Sequence, residues 1–183
     1  MKKTFNITAD ETRPSNLYLQ YLAEVSSLLQ KPSDVQKNLH YVLTRLRAIS
    51  GVSRSYLFEN HLSPSGVLLT SIKYEVCAPG ISSQINNPDL HNLDAEKFGV
   101  STWRSILESG DIIRGAVEEF SEIEQEFLQK QQIYWIMILP LLVEGRFWGF
   151  IGFDVCQKGV SLSYGEIALL ETAAHVISAS IER

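Results

Sequence analysis

Four histidines, two cysteines and a run of glutamates are the residues here that could do chemistry. Metal binding or acid–base catalysis needs such groups at short, regular spacing or in close pairs. His40, His61, His91 and His175 show no such spacing, and His40 and His175 fall in expected helices, where a lone histidine is usually structural. Cys77 and Cys156 are far apart, form no CxxC pair and have no histidine beside them. Each ends an expected strand, where cysteine serves as a small apolar residue. Neither a disulfide framework nor a thiolate zinc site is expected. Glu118, Glu119, Glu122, Glu124 and Glu126 could attract a cation or a basic partner. A solvated helix face accounts for them more simply, the first glutamates favouring the helix N-terminus. No catalytic residue and no metal ligand is therefore assigned.

Size and charge narrow the class further. The 183 residues suit one domain. Sixteen basic and 21 acidic residues leave a formal net charge of −5, which disfavours nucleic acid and anionic membranes as partners. The start of the chain has two lysines but no apolar core behind them, so it is not a signal peptide. The longest apolar run, 133–143, contains Pro140 and is shorter than the roughly 20 residues of a membrane span. Two unpaired cysteines fit a reducing cytoplasm.

The elements that must position any site follow from periodicity. Residues 1–14 read as a flexible segment. Leu17, Tyr18, Tyr21, Leu22, Val25, Leu28 and Leu29 recur at helical spacing over 15–30, and Pro32 should end that helix. Ser33 with Gln36 reads as a capping box for a second helix, ending near Gly51. Residues 52–59 and 67–77 read as paired strands around the Ser63-Pro64-Ser65-Gly66 turn. A long loop, 78–99, follows, read either as a surface insertion or as a segment covering a pocket, since such loops are often lids or binding loops. Then come a short helix over 101–109, a short strand over 111–115, and a helix opened by the Ser121–Glu124 capping box. The apolar run 133–143 fits a strand buried on both faces, and the Glu144-Gly145 turn leads into its antiparallel partner, 146–156. Ser163 and Glu166 cap a last helix running to Arg183. This is an α+β layer fold.

The closing block carries a resemblance. Residues 139–154 read LPLLVEGRFWGFIGFD, followed by a polar stretch and SYGEIALL at 163–170. Together with WRSILESG at 103–110 and the block 120–133, this resembles a GAF domain of the kind found in bacterial sensor kinases and cyclic-dinucleotide signalling proteins. The resemblance covers 15–183 and implies one GAF-like, PAS-related domain. Its central antiparallel sheet would carry the N- and C-terminal helices on one face and the short helices and long loop over the other. The family's ligand motifs are not matched. Bilin-carrying members commonly have a cysteine followed by histidine, whereas Ala78 follows Cys77 and Gln157 follows Cys156. The cyclic-nucleotide signature is not met by Lys37-Asn38 and Phe120, and no histidine stands out as a haem ligand.

What remains is a non-covalent small ligand of unknown identity. Tyr56, Phe58, Tyr74, Trp103, Trp148 and Phe150 are the candidate binding residues, although a packed core would use the same side chains. Strict alternation puts Trp148, Phe150, Gly152 and Asp154 on one face of the last strand and Phe147, Gly149, Ile151 and Phe153 on the other. Which face is open is not evident. Gly149 and Gly152 leave room for a ligand or, more commonly, a helix. Helix 15–30 is apolar on more than one side and helix 163–183 is similarly rich, so both are expected to pair in a homodimer. The last helix has no stop signal, so the natural chain is expected to continue into an output domain. The resulting expectation is a non-catalytic, cytoplasmic sensory module of signal transduction. Its rivals are a ligand-free dimerisation module and a thiol enzyme of the same fold.

Overall fold

The structure, a computed structural model, describes residues 12–30, 32–97 and 99–182. Residues 1–11 of the expected flexible segment 1–14, and the side chains of the Ser33–Gln36 capping box, lie outside the described residues. Helices α1 (Thr12–Leu28) and α2 (Pro32–Ser50) precede strands β1 (Arg54–Leu62) and β2 (Leu68–Cys77). Helix α3 (Ser101–Glu108), strand β3 (Ile113–Ala116) and helix α4 (Glu122–Gln129) follow the long loop. Strands β4 (Trp135–Val143) and β5 (Arg146–Val155) and helix α5 (Tyr164–Glu182) complete the chain. Pro32 opens α2 rather than merely ending α1, a position where its missing N–H costs nothing.

The five strands form one sheet in the order β2-β1-β5-β4-β3, with every neighbouring pair antiparallel. The β4–β5 turn has positive φ at both Glu144 (51°) and Gly145 (72°), which matches the twist of a two-residue hairpin. Pro140 sits in β4 without breaking a ladder bond to β3. That strand reaches only as far as the Ile113–Ile138 pair, so the outer side of β4 at Pro140 is free.

One face of the sheet is covered by the terminal helices. Tyr21, Val25 and Leu29 of α1's face, Leu39, Val42, Leu43 and Leu46 of α2, and Leu169, Leu170, Ala173 and Ile177 of α5 pack on Leu57, Met137, Leu139, Ile151 and Phe153. Each fully buried aliphatic side chain contributes about 1.5–3 kcal/mol. Two hydrogen bonds set the register of this layer: the Tyr21 hydroxyl donates to the Val42 carbonyl at 2.7 Å, and Ser55 Oγ to the Leu43 carbonyl at 2.9 Å. The opposite face is covered by α3, α4 and the long loop. A second cluster there joins Tyr56, Phe58, Ile72, Ile136 and Ile138 to Leu90, Leu93, Trp103, Leu107 and Leu128. The loop is therefore organised: it contains a single 3-10 turn at Pro88–Leu90, and Leu93 bridges to Thr70 of β2.

The two glycines of β5, Gly149 and Gly152, serve neither a ligand nor a helix. A Cβ at Gly149 would meet the Phe58 carbonyl of β1, and one at Gly152 would meet the Tyr56 ring. Gly149→Ala should force β5 away from β1 and cost about 1–3 kcal/mol, as overpacking does. Thermal unfolding of the variant beside the wild type checks this, and an unchanged midpoint would contradict the tight approach of the two strands.

Candidate functional site

The face away from α1, α2 and α5 holds a cavity of about 90 Å³. Its floor is Tyr56 and Phe58 of β1, Ile72 of β2, Ile136 and Ile138 of β4, and Phe150 and Asp154 of β5. Trp103 and Leu107 of α3, Phe127 and Leu128 of α4, and Leu90, Leu93, Ala95 and Val100 of the loop close it from above. Phe58 and Phe150 stack with centroids 4.6 Å apart and planes 11° from parallel, while Tyr56 meets Phe58 edge-on at 5.7 Å. Asn60, Thr70, Phe147 and Arg104 also line the cavity and are partly or largely exposed.

Four of the six candidate binding residues, Tyr56, Phe58, Trp103 and Phe150, are thus brought together. Tyr74 and Trp148 are not; both pack against the helix-side core. The cause is the same in each case. Register shifts between Leu57 and Phe58 and between Leu141 and Leu142 mark β-bulges, opposite Lys73 and Trp148 respectively. A bulge inserts one unpaired residue and reverses the alternation beyond it. Phe147 consequently lines the cavity, and Trp148 takes the opposite face.

At the buried end of the cavity lies an ion pair that the sequence-based assignment omits. Arg54 is 1% exposed and Asp154 2%. Arg54 Nε donates to Asp154 Oδ2 at 3.0 Å, and the Tyr56 hydroxyl donates to Asp154 Oδ1 at 2.8 Å. The remaining guanidinium nitrogens donate to the carbonyls of Ser82 in the loop (3.1 Å) and Gln131 after α4 (2.6 Å). Burial pushes the Asp154 carboxyl up to about 6, with Arg54 and Tyr56 pulling against it. One signal could have found the pair: opposite charges at inward positions of two apolar strands, which are tolerated only when matched.

Two further carboxylates pin the covering segments. Glu75 of β2 accepts from the amides of Gln84 (2.8 Å) and Ile85 (3.0 Å) and from the Ser83 hydroxyl, tying the loop to the sheet edge. Glu124 of α4 accepts from Trp103 Nε1 of α3 at 2.6 Å and from the Ser121 amide (2.9 Å) and hydroxyl (2.8 Å). The capping box at Ser121 is formed as expected. The expected solvated acidic face has one exception: Glu124 is buried, at 9% exposure. Its burial alone would raise the carboxyl, but the Ser121, Trp103 and Thr102 donors outweigh it and hold the group below its ordinary range.

The remaining titratable candidates do not converge on the cavity. None of the four histidines lines it. Cys77 and Cys156 are half-buried free thiols. Burial pushes Cys77 up to about 11 and raises Cys156 too, the reverse of what a nucleophilic thiolate needs. Among the described residues, no three His, Cys, Asp or Glu side chains are grouped so as to hold a metal ion. No helix among them is long and apolar enough to cross a membrane.

The GAF domain family model matches residues 34–181. The methanogenesis regulatory histidine kinase FilI of Methanothrix harundinacea (strain 6Ac) is 37% identical over 150 residues, which cover 82% of this chain and 17% of that protein. The chain therefore spans less than a fifth of the kinase's length. Among solved structures, the phycoerythrobilin-bound GAF domain of a cyanobacterial phytochrome superposes with a TM-score of 0.72 at 12% identity, over 90% of this chain and 94% of that one. The chromophore-binding domain of an unusual bacteriophytochrome from R. palustris gives 0.73 at 14% identity, over 92% of this chain and 61% of that one. At these identities the likeness is one of fold.

Asp154→Ala should destabilise the protein by about 3–5 kcal/mol, because it leaves the Arg54 charge buried without its partner. Denaturant unfolding measures this; a loss below about 1 kcal/mol would mean that the pair is hydrated. Glu124 has a folded pKa below its free value, so its contribution is present at neutral pH and fades as pH falls through the carboxylate range. Glu124→Gln should cost about 1 kcal/mol at pH 7. The gap in melting temperature between wild type and variant should close on acidification below about pH 4.5, and a gap independent of pH would contradict the assignment.

Proposed function

The chain belongs to the GAF domain family, and on that footing we propose that it is a non-catalytic sensory module. It binds a small ligand in the cavity and signals through dimerising terminal helices to an output domain. The observation that carries this is the cavity itself. It is walled by β1, β2, β4 and β5 and closed by α3, α4 and a loop tied down by Glu75 and Arg54. Sites that take small molecules are typically such concave, mostly apolar spaces with a few placed polar groups. The kinship with a regulatory histidine kinase supports a place in two-component signal transduction, with the kinase chemistry in other segments. A cytoplasmic location belongs to this reading, and the free thiols are in keeping with it.

A bilin is disfavoured although solved neighbours hold one. A cavity of about 90 Å³ is well below the roughly 300–1,000 Å³ of pockets for larger ligands. Haem and cyclic nucleotides meet the same limit. The raised thiol pKa values speak against the thiol-enzyme alternative. The ligand-free dimerisation module has one observation in its favour: the Phe58–Phe150 stack fills space that a ligand would otherwise take.

The helices have faces left for a partner. Leu17 and Leu19 of α1 are 49% and 65% exposed, and Tyr164, at the start of α5, is 90% exposed. The rest of the apolar surface of α1 is largely used within the chain, since Tyr21, Val25 and Leu29 are buried and Tyr18 and Leu22 partly so. The exposed Leu17 and Leu19 of α1 and Tyr164 of α5 are the apolar surface left to support such a pairing.

A native mass spectrum of the purified protein, with an absorbance scan of the same sample, tests the proposal. A dimer carrying extra mass that is released on denaturation is expected. Leu19→Glu should weaken the dimer about tenfold or more, since a charge is placed in an apolar contact. A clean wild-type monomer would refute the helix pairing, and a clean dimer would favour the ligand-free module.

A further inference from the structure

We propose that the cavity takes a neutral, apolar molecule of about single-ring size and excludes charged ones. This rests on the cavity being a ligand site. The walls are mostly aromatic and aliphatic, and the carboxylates and buried amide among them are already engaged. Both Asp154 oxygens are taken, by Arg54 and by Tyr56. Glu75 is occupied by the loop amides. Gln131 Nε2 donates to the Phe127 carbonyl at 3.1 Å, and Asn60 Nδ2 to the Phe147 carbonyl at 3.0 Å. Arg104, the cation at the wall, donates from Nε to Glu108 at 2.8 Å and is half-exposed.

A site built for an anion or a cation holds a buried polar group aimed inward and awaiting its partner. The buried polar side chains on the cavity wall, Asp154 and Gln131, already have such partners. A charged ligand would have to enter a low-dielectric space unpaired, or break the Asp154 network and strand one of its charges. An apolar ligand does neither. It gains the burial of its own surface and contact with the Phe58, Phe150 and Trp103 rings.

Size is set by Phe150. The cavity is smaller than the roughly 150 Å³ apolar void known to admit benzene. Phe150 is half-buried and stacks on Phe58, so a ring-sized guest fits once Phe150 turns aside. Phe150 is thus a specificity-determining residue, holding the site to small guests.

The experiment compares benzene with benzoate, an uncharged and a charged guest with the same ring. Each is titrated into the full 183-residue chain and into Phe150→Ala, following backbone amide shifts by NMR. Benzene should move the amides of Ile72, Ile136 and Ile138, and more tightly in Phe150→Ala. Benzoate should bind at least about tenfold more weakly, because its carboxylate would meet apolar walls, and the cation at the rim, Arg104, is half-exposed and already paired with Glu108. Benzoate binding as well as benzene would overturn the apolar assignment and leave the ligand site standing. Tighter benzene binding by wild type than by Phe150→Ala would overturn the role given to Phe150. Binding of neither guest to either protein would overturn the inference, and the copurified mass in the native spectrum would then decide the ligand-site reading separately.

Discussion

Arg54 and Asp154 meet across β1 and β5 almost without solvent, and taking two such charges out of water costs several kcal/mol each. That cost is offset only if every donor and acceptor is matched, which fixes the surroundings. Tyr56 must lie across β5 to reach Asp154, and it does so through the space left at Gly152. The Ser82 and Gln131 carbonyls must come to the guanidinium, and they belong to the two segments that close the cavity. One buried charge pair therefore positions the floor, the loop and the end of α4 together.

The roof has a second anchor with the same logic. Glu124 caps its own helix through Ser121 and reaches Trp103 on α3, so the two short helices are held as one unit. Eight-residue helices are marginal alone, and tertiary contacts decide whether they form. Glu75 does likewise for the loop, its carboxylate accepting the backbone amides that would otherwise need water. The covering layer is tied at three carboxylates, Asp154 through Arg54, Glu124 and Glu75, and the apolar cavity lies between them.

Local signals made much of this fold legible in the sequence. The Ser121–Glu124 box, the Glu144-Gly145 turn and the helical stripes of α1, α2 and α5 each depend on residues within a few positions, and each formed. The family resemblance in 139–154 supplied the layer arrangement. What stayed hidden depends on partners distant in the chain. Arg54 and Asp154 are 100 residues apart, and Glu75 reads as an ordinary strand-end charge until the loop returns to it. The bulges are hidden for a related reason. Whether Trp148 is skipped is decided by how β4 and β5 share their twist, so an alternation count over β5 alone puts Trp148 and Phe147 on exchanged faces.

β5 joins the two halves of the molecule. Its residues alternate between the cavity, at Phe150 and Asp154, and the helix layer, at Ile151, Phe153 and Val155, all of which are fully or nearly fully buried. A packed core does not deform smoothly, so a displacement of β5 on one face must be met by repacking on the other. A guest that turns Phe150 aside therefore loads β5, whose neighbour β4 carries α5 and, through it, α1. It can bias the arrangement of those helices only to the extent that one arrangement leaves Phe150 freer to move. The Asp154 pair at the far end of β5 works against drift of the strand, since sliding would separate it from Arg54.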